Sequence, residues 1–182
     1  MPLFAPITLA CRIAPLFFDP LFLPSSERTP TVNDETQDHA RFMDLALDEA
    51  RAAAAEGNVA VGSVIVRGGQ VIGRGHNLVH TSGDPTAHAE TVAIRDACRR
   101  LGTPELPGAT CYTTMEPCPM CCWAIVVAGI ERVVLGARHV DAGNSTVGNY
   151  TVERLIDMAR RELALTTGIA VDACLAVVTS GE

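Results

Sequence analysis

The chain has 182 residues, 48% of them hydrophobic, which suffices for one domain with a core of its own. Its 14 basic residues, all Arg, stand against 21 Asp and Glu for a net charge of −7; this excludes a general basic field for nucleic acid and favours a small-molecule partner. Seven cysteines, an odd number at irregular spacing, suit free thiols in a reducing, cytoplasmic setting better than a disulfide framework.

Residues 2–24 are apolar, but Arg12, Asp19 and repeated Pro interrupt them before membrane-spanning length, so no membrane segment is expected. The polar run 25–38 reads as a linker. Residues 1–36 are therefore expected to be a disordered extension and 37–182 the folded domain. The stripe Phe42, Ala46, Ala50 and Ala53 marks a helix that Gly57-Asn58 ends. Residues 59–66 and 71–75, joined through Gly68-Gly69, read as a hairpin of two apolar strands, with Asn77 just beyond. Asp84-Pro85 supplies a turn and a helix-start signal for a helix through Ala89, Val92, Ala93 and Cys98 to Leu101-Gly102. A strand at 110–114, a helix at 119–128, a strand at 132–135 and a glycine-bearing loop at 137–149 follow. A last helix at 152–160, a short strand at 163–167 and helical residues from Ala170 complete the chain. The alternation predicts a three-layer α/β domain.

Two short segments carry the chemistry. In Cys118-Pro119-Met120-Cys121, Pro119 suits the first helical position, and cysteines three apart share a face of the first turn. The positive end of the helix dipole favours their thiolate forms. His88-Ala89-Glu90 opens the preceding helix. Residues two apart point about 200° away from each other in a regular helix, so both approach one ion only if His88 sits where the helix begins. Taken singly, the cysteines read as core thiols, His88 as a hydrogen-bonded helix-start residue and Glu90 as a solvated charge. Together, one His and two Cys make three zinc ligands and leave a fourth position for water, with Glu90 placed as general base.

The stretches Asp84-Pro85-Thr86-Ala87-His88-Ala89-Glu90 and Thr114-Met115-Glu116-Pro117-Cys118-Pro119-Met120-Cys121 resemble the His-x-Glu and Pro-Cys-x-x-Cys signature of the cytidine deaminase-like superfamily of zinc deaminases. The likeness extends over 37–178. It implies an α/β/α sandwich around a central mixed five-stranded sheet. It also implies one Zn2+ per chain on His88, Cys118 and Cys121, and a zinc-activated hydroxide that attacks a ring carbon bearing an amine and releases ammonia. Glu90 would carry the protons. Asn77 matches a residue that holds the base or its sugar, although by itself it also reads as a turn residue. Relatives form homodimers or larger homo-oligomers, and the same is expected here. Ala60 stands where many relatives carry Pro.

In look, the chain is similar first to guanine and cytosine deaminases and then to bacterial tRNA adenosine deaminases. Its acidic C-terminal segment argues against tRNA, because phosphate contacts dominate nucleic-acid affinity. The loop after the fourth strand offers Asp141, while Asn149 occupies the place where guanine-type enzymes are expected to carry an acid. Aromatic residues are scarce at 4%, which leaves Tyr150 and Trp123 as stacking candidates, although Trp123 by itself reads as a helix-packing or interface residue and Tyr150 also as a cap of the last helix. Cys98, Cys111, Cys122 and Cys174 are expected in packing, and His76 and His80 at turns or the surface. The expected substrate is a free purine, pyrimidine or triazine-like ring contacted by Asn77, Asp141 and Tyr150. The alternatives are a tRNA adenosine deaminase and a non-catalytic zinc-stabilised scaffold.

Overall fold

The computed structural model describes residues 32–143 and 146–179. Residues 1–31 of the expected extension lie outside these, and the helix that opens the domain begins at Val32, upstream of the expected boundary at 37. The elements are α1 (Val32–Ala55), β1 (Gly62–Arg67), β2 (Gln70–His76), α2 (Val79–Ser82), α3 (Ala89–Leu101), β3 (Ala109–Met115), α4 (Pro119–Val127), β4 (Arg132–Ala137), α5 (Val152–Ala159), β5 (Ala164–Thr166) and α6 (Val171–Thr179). None of the described helices is long and apolar enough to cross a membrane.

The sheet order is β2-β1-β3-β4-β5, with β1 antiparallel to β2 and β3, and β3, β4 and β5 parallel. Gly68 and Gly69, at φ +57° and +73°, make the two-residue turn between β1 and β2, a backbone that side chains with a Cβ resist. Parallel strands need crossovers, which α4 and α5 provide. Successive strand residues then sort to opposite faces. Ile65, Cys111, Val133 and Leu135 join Ala93, Ala97, Cys122 and Ile125 under α3, α4 and α5. Val64, Tyr112 and Val134 join Phe42, Met43, Leu47 and Cys174 under α1 and α6. This is the expected α/β/α sandwich on a mixed five-stranded sheet, with Cys111, Cys122 and Cys174 buried in packing and Cys98 partly so.

Glycine sets how closely the helices approach. A Cβ at Gly75 would overlap the Ala93 amide and the Ala89 carbonyl, and one at Gly62 would overlap the α1 backbone at Ala46 and Ala50. The start of α3 is thereby seated against β2, next to the C-terminal ends of β3 and β4, the end of a parallel sheet where α/β folds bind ligands. One element escaped the sequence reading: α2 has four residues, too few for a periodic signal. It is held by Asn58, whose Oδ1 accepts the His80 and Thr81 amides at 3.0 and 3.1 Å.

Candidate metal centre

Both helices that meet at the end of the sheet begin where the sequence signals put them. Pro119 opens α4, and Cys118 is its N-cap with extended backbone (φ −65°, ψ 168°). His88 is the N-cap of α3 (φ −74°, ψ 155°), and neither N-cap side chain is used for capping. The turn before α3 is built by Asp84, whose Oδ1 accepts from the Thr86 amide at 2.8 Å and the Thr86 hydroxyl at 2.7 Å. Thr91 Oγ1 then donates to the Thr86 and His88 carbonyls at 2.6 and 2.9 Å, fixing the first turn. His88 and Glu90 thus avoid the opposed directions of a regular helix.

The ligand atoms of His88, Cys118 and Cys121 lie within 4.8 Å of one another, and no other such group of His, Cys, Asp and Glu occurs among the described residues. Cys118 Sγ is 3.6 Å from His88 Nδ1 and 3.6 Å from Cys121 Sγ. The contact with Cys121, helped by His88 and opposed by burial, brings the Cys118 thiol down to about 4. The same contact, together with burial, pushes Cys121 up. His88 is raised, chiefly by its bond to Cys118. Two sulfurs and an imidazole within reach of one point form a donor set that suits a zinc ion, and three ligands leave one position of a tetrahedral ion open.

Glu90 is 3% exposed and burial raises its pKa. Thr113 Oγ1 donates to its Oε1 at 3.3 Å, and the Cys121 thiol reaches it as well. Glu90, His88 and Cys118 line a cavity of about 590 Å³. Val61, Val79, Met115 and Val147 give it apolar walls, and Asn77, His80, Glu116 and His139 add polar atoms; among the described residues no Arg lines it.

Of the three expected substrate contacts, only Asn77 reaches this cavity. It is buried, and its Oδ1 accepts the Val79 amide at 3.1 Å, so the turn role and the position on the wall coexist. Asp141 is not among the residues that line this cavity. It is exposed, and its Oδ2 accepts the Arg138 amide at 3.1 Å, because the chain after β4 folds back on itself through Asp141 N to Arg138 O and turns the carboxylate outward. Tyr150 is not among the residues that line it either. Its hydroxyl donates to the Pro117 carbonyl at 2.8 Å, and it lines an adjoining cavity of about 360 Å³ that shares Glu116, His139, Gly143 and Val147 with the first. Trp123 is 51% exposed on the outer side of α4 with Met120 and Val127. His80 is exposed, as expected, and also stands at the rim of the cavity. Sequence reasoning gives Glu116 and His139 no role; the signal for Glu116 is a carboxylate directly after a mostly buried strand and two residues before Cys118.

Comparison with known proteins agrees with this geometry. The sequence pattern of the family described as the cytidine and deoxycytidylate deaminase zinc-binding region matches residues 36–137. The chain is 49% identical over 96 residues to the tRNA-specific adenosine deaminase of Aquifex aeolicus, covering 53% of this chain and 64% of that protein. It is 45% identical over 101 residues to the guanine deaminase of Bacillus subtilis, covering 56% and 65%. It therefore spans roughly two-thirds of the length of these curated relatives. Among solved structures, one from studies of A-to-I editing by tRNA:A34 deaminases is 38% identical with a TM-score of 0.68, covering 75% of this chain and 98% of that one. The Bacillus subtilis guanine deaminase structure is 42% identical with a TM-score of 0.56, covering 60% and 70%.

Proposed function

The chain belongs to the cytidine and deoxycytidylate deaminase zinc-binding family, and from that premise we propose that it is a zinc-dependent hydrolytic deaminase of a small nucleobase-type ring, a free purine, pyrimidine or triazine-like base. The observation that carries this reading is Glu90: a buried carboxylate that lines one cavity with His88 and Cys118, with no Arg among the described residues of its wall.

His88, Cys118 and Cys121 would hold the zinc ion, which when bound supplies Lewis acidity and brings the pKa of a water down to about 7. Glu90 receives the proton of the attacking water on a carboxylate oxygen and delivers it toward the leaving amine. The ring C–N bond breaks, ammonia departs and a carbonyl remains. Burial lifts the Glu90 pKa toward the working pH, which suits a group that must act as base and then as acid. Asn77, whose Oδ1 is engaged by Val79, has its amide NH2 to offer to an acceptor on the ring. The apolar walls exclude bulk water and strengthen these polar contacts. A non-catalytic scaffold would need a closed site, and the described residues supply three ligands rather than four.

A second reading, deamination of an adenosine in tRNA, is favoured by the 49% and 46% identity to the Aquifex aeolicus and Bacillus subtilis tRNA-specific enzymes. Charge counts against it. The chain carries −7, and Arg51, Arg74, Arg95, Arg99, Arg100 and Arg138 each sit within ion-pair range of an acid. The outward apolar face of α4, with Trp123 and Val127 51% and 67% exposed, supports a homodimer or larger homo-oligomer. Ammonia release from guanine, cytosine, adenine, their nucleosides, triazine analogues and a tRNA anticodon stem-loop tests both readings. Release from a free base, lost in Glu90→Ala with zinc retained, is expected. Release from the stem-loop alone moves the substrate to tRNA, and silence across the panel with zinc bound overturns the enzyme reading.

A further inference from the structure

Glu116 lies two residues before Cys118 and is 4% exposed, yet it is outside the donor set. Its Oε1 accepts the Val152 amide at 2.9 Å, and its Oε2 accepts the His139 amide at 3.2 Å. The Arg138 guanidinium stands 3.5 Å from Oε1. The next residue, Pro117, takes the Tyr150 hydroxyl on its carbonyl at 2.8 Å. Glu116-Pro117 therefore grips the segment after β4 at both ends: at His139 where it leaves the strand, and at Tyr150 and Val152 where it enters α5. Val152 is the first residue of α5, so the carboxylate also meets an amide that the helix itself leaves without a partner.

The sheet does not need this grip. β3 and β4 are already aligned by backbone pairing from Thr110 with Arg132 to Met115 with Ala137. A buried carboxylate costs free energy unless donors compensate it, and here every compensating donor comes from one segment, which supplies His139, Ala142, Gly143 and Val147 to the cavity wall.

We infer that Glu116 is a positioning residue for the reaction proposed above: it fixes that wall relative to the ligand-bearing start of α4, and so sets how tightly the ring is held. Its oxygens are committed to the segment after β4, not to metal or ring. The inference rests on the reading that the ring occupies this cavity.

Glu116→Gln keeps the shape but turns an NH2 toward one of the two amide donors. Zinc content, hydrogen exchange of peptides covering 138–143 and 146–152, and kcat and KM on the base that the native protein deaminates are measured on the full chain. Zinc is expected to stay bound, exchange in those peptides to quicken about tenfold or more, and KM to rise about tenfold with kcat within about threefold, the scale of one lost hydrogen bond to a charged group. Tyr150→Phe, which removes the hydroxyl's bond to Pro117 and its contact with Cys122, is expected to shift exchange and KM in the same direction by less, and it carries the test if Glu116→Gln does not fold. Loss of zinc with unchanged exchange in the two peptides overturns the inference, as does exchange that quickens equally over the whole protein. Unchanged exchange and kinetics overturn it too. Absence of ammonia release from the native protein counts against the proposed function alone, because the exchange data decide the grip without a substrate.

Discussion

Two carboxylates stand beside the ligand cluster, Glu90 at the start of α3 and Glu116 on the approach to α4; they are equally buried, at 3% and 4% exposed, but are given different things to bind. Glu116 meets two backbone amides and a guanidinium, all from the segment after β4 and the start of α5. Glu90 meets a hydroxyl at 3.3 Å, a thiol and its own backbone amide, all within the first turn of α3 and its neighbours, and it lines the cavity. A carboxylate saturated with fixed donors holds geometry, whereas one buried with weaker donors has a raised pKa and is free to exchange a proton. Burial alone therefore does not mark a proton carrier; the partners do.

The comparison breaks first at the ligands. Cys118→Ala removes the residue that both His88 and Cys121 touch, and complete loss of zinc with loss of all activity is expected, read by metal analysis and ammonia release. Glu90→Gln comes next: zinc is retained and kcat falls about 10²- to 10⁴-fold, the range of a lost general acid–base. If Glu90→Gln instead released zinc, Glu90 would belong with the ligands and the contrast with Glu116 would fail.

Three smaller effects sharpen the contrast by separating what seats α3 from what reacts at its start. Gly75→Ala drives a methyl into the α3 backbone at Ala93 and Ala89, and a loss of about 1–3 kcal/mol or more in chemical denaturation is expected. Asp96 holds α3 to β2. Burial pushes its carboxyl up, but bonds from Arg100 at 2.9 Å, the Arg74 amide at 3.1 Å and Arg99 at 2.7 Å outweigh this and hold it below the ordinary value of 3.8. A depressed folded-state pKa contributes stability that is present above the ordinary value and lost as pH falls through the folded one. The native protein should therefore lose more stability than Asp96→Asn as the pH drops below about 4, measured by thermal melts across pH. Smallest of all, Asp141→Ala leaves kcat/KM within about twofold, since Asp141 faces solvent and braces only the Arg138 amide.

Sequence by itself determined what depends on neighbours along the chain. Gly68-Gly69 fixed a hairpin, Asp84-Pro85 and Pro119 fixed two helix starts, and short apolar runs fixed the buried strands β1, β3 and β4. The helix starts in turn placed His88, Glu90, Cys118 and Cys121, because residues at the first turn have directions set by local dihedrals. Only the tertiary structure decided the far wall of the cavity. The fold-back after β4 sent Asp141 outward, Tyr150 spent its hydroxyl on Pro117, and Glu116 and His139 came together from positions 23 residues apart. The last two leave no periodic or turn signal, since they depend on long-range hydrogen bonds to backbone groups, and every residue presents the same amide and carbonyl whatever its side chain.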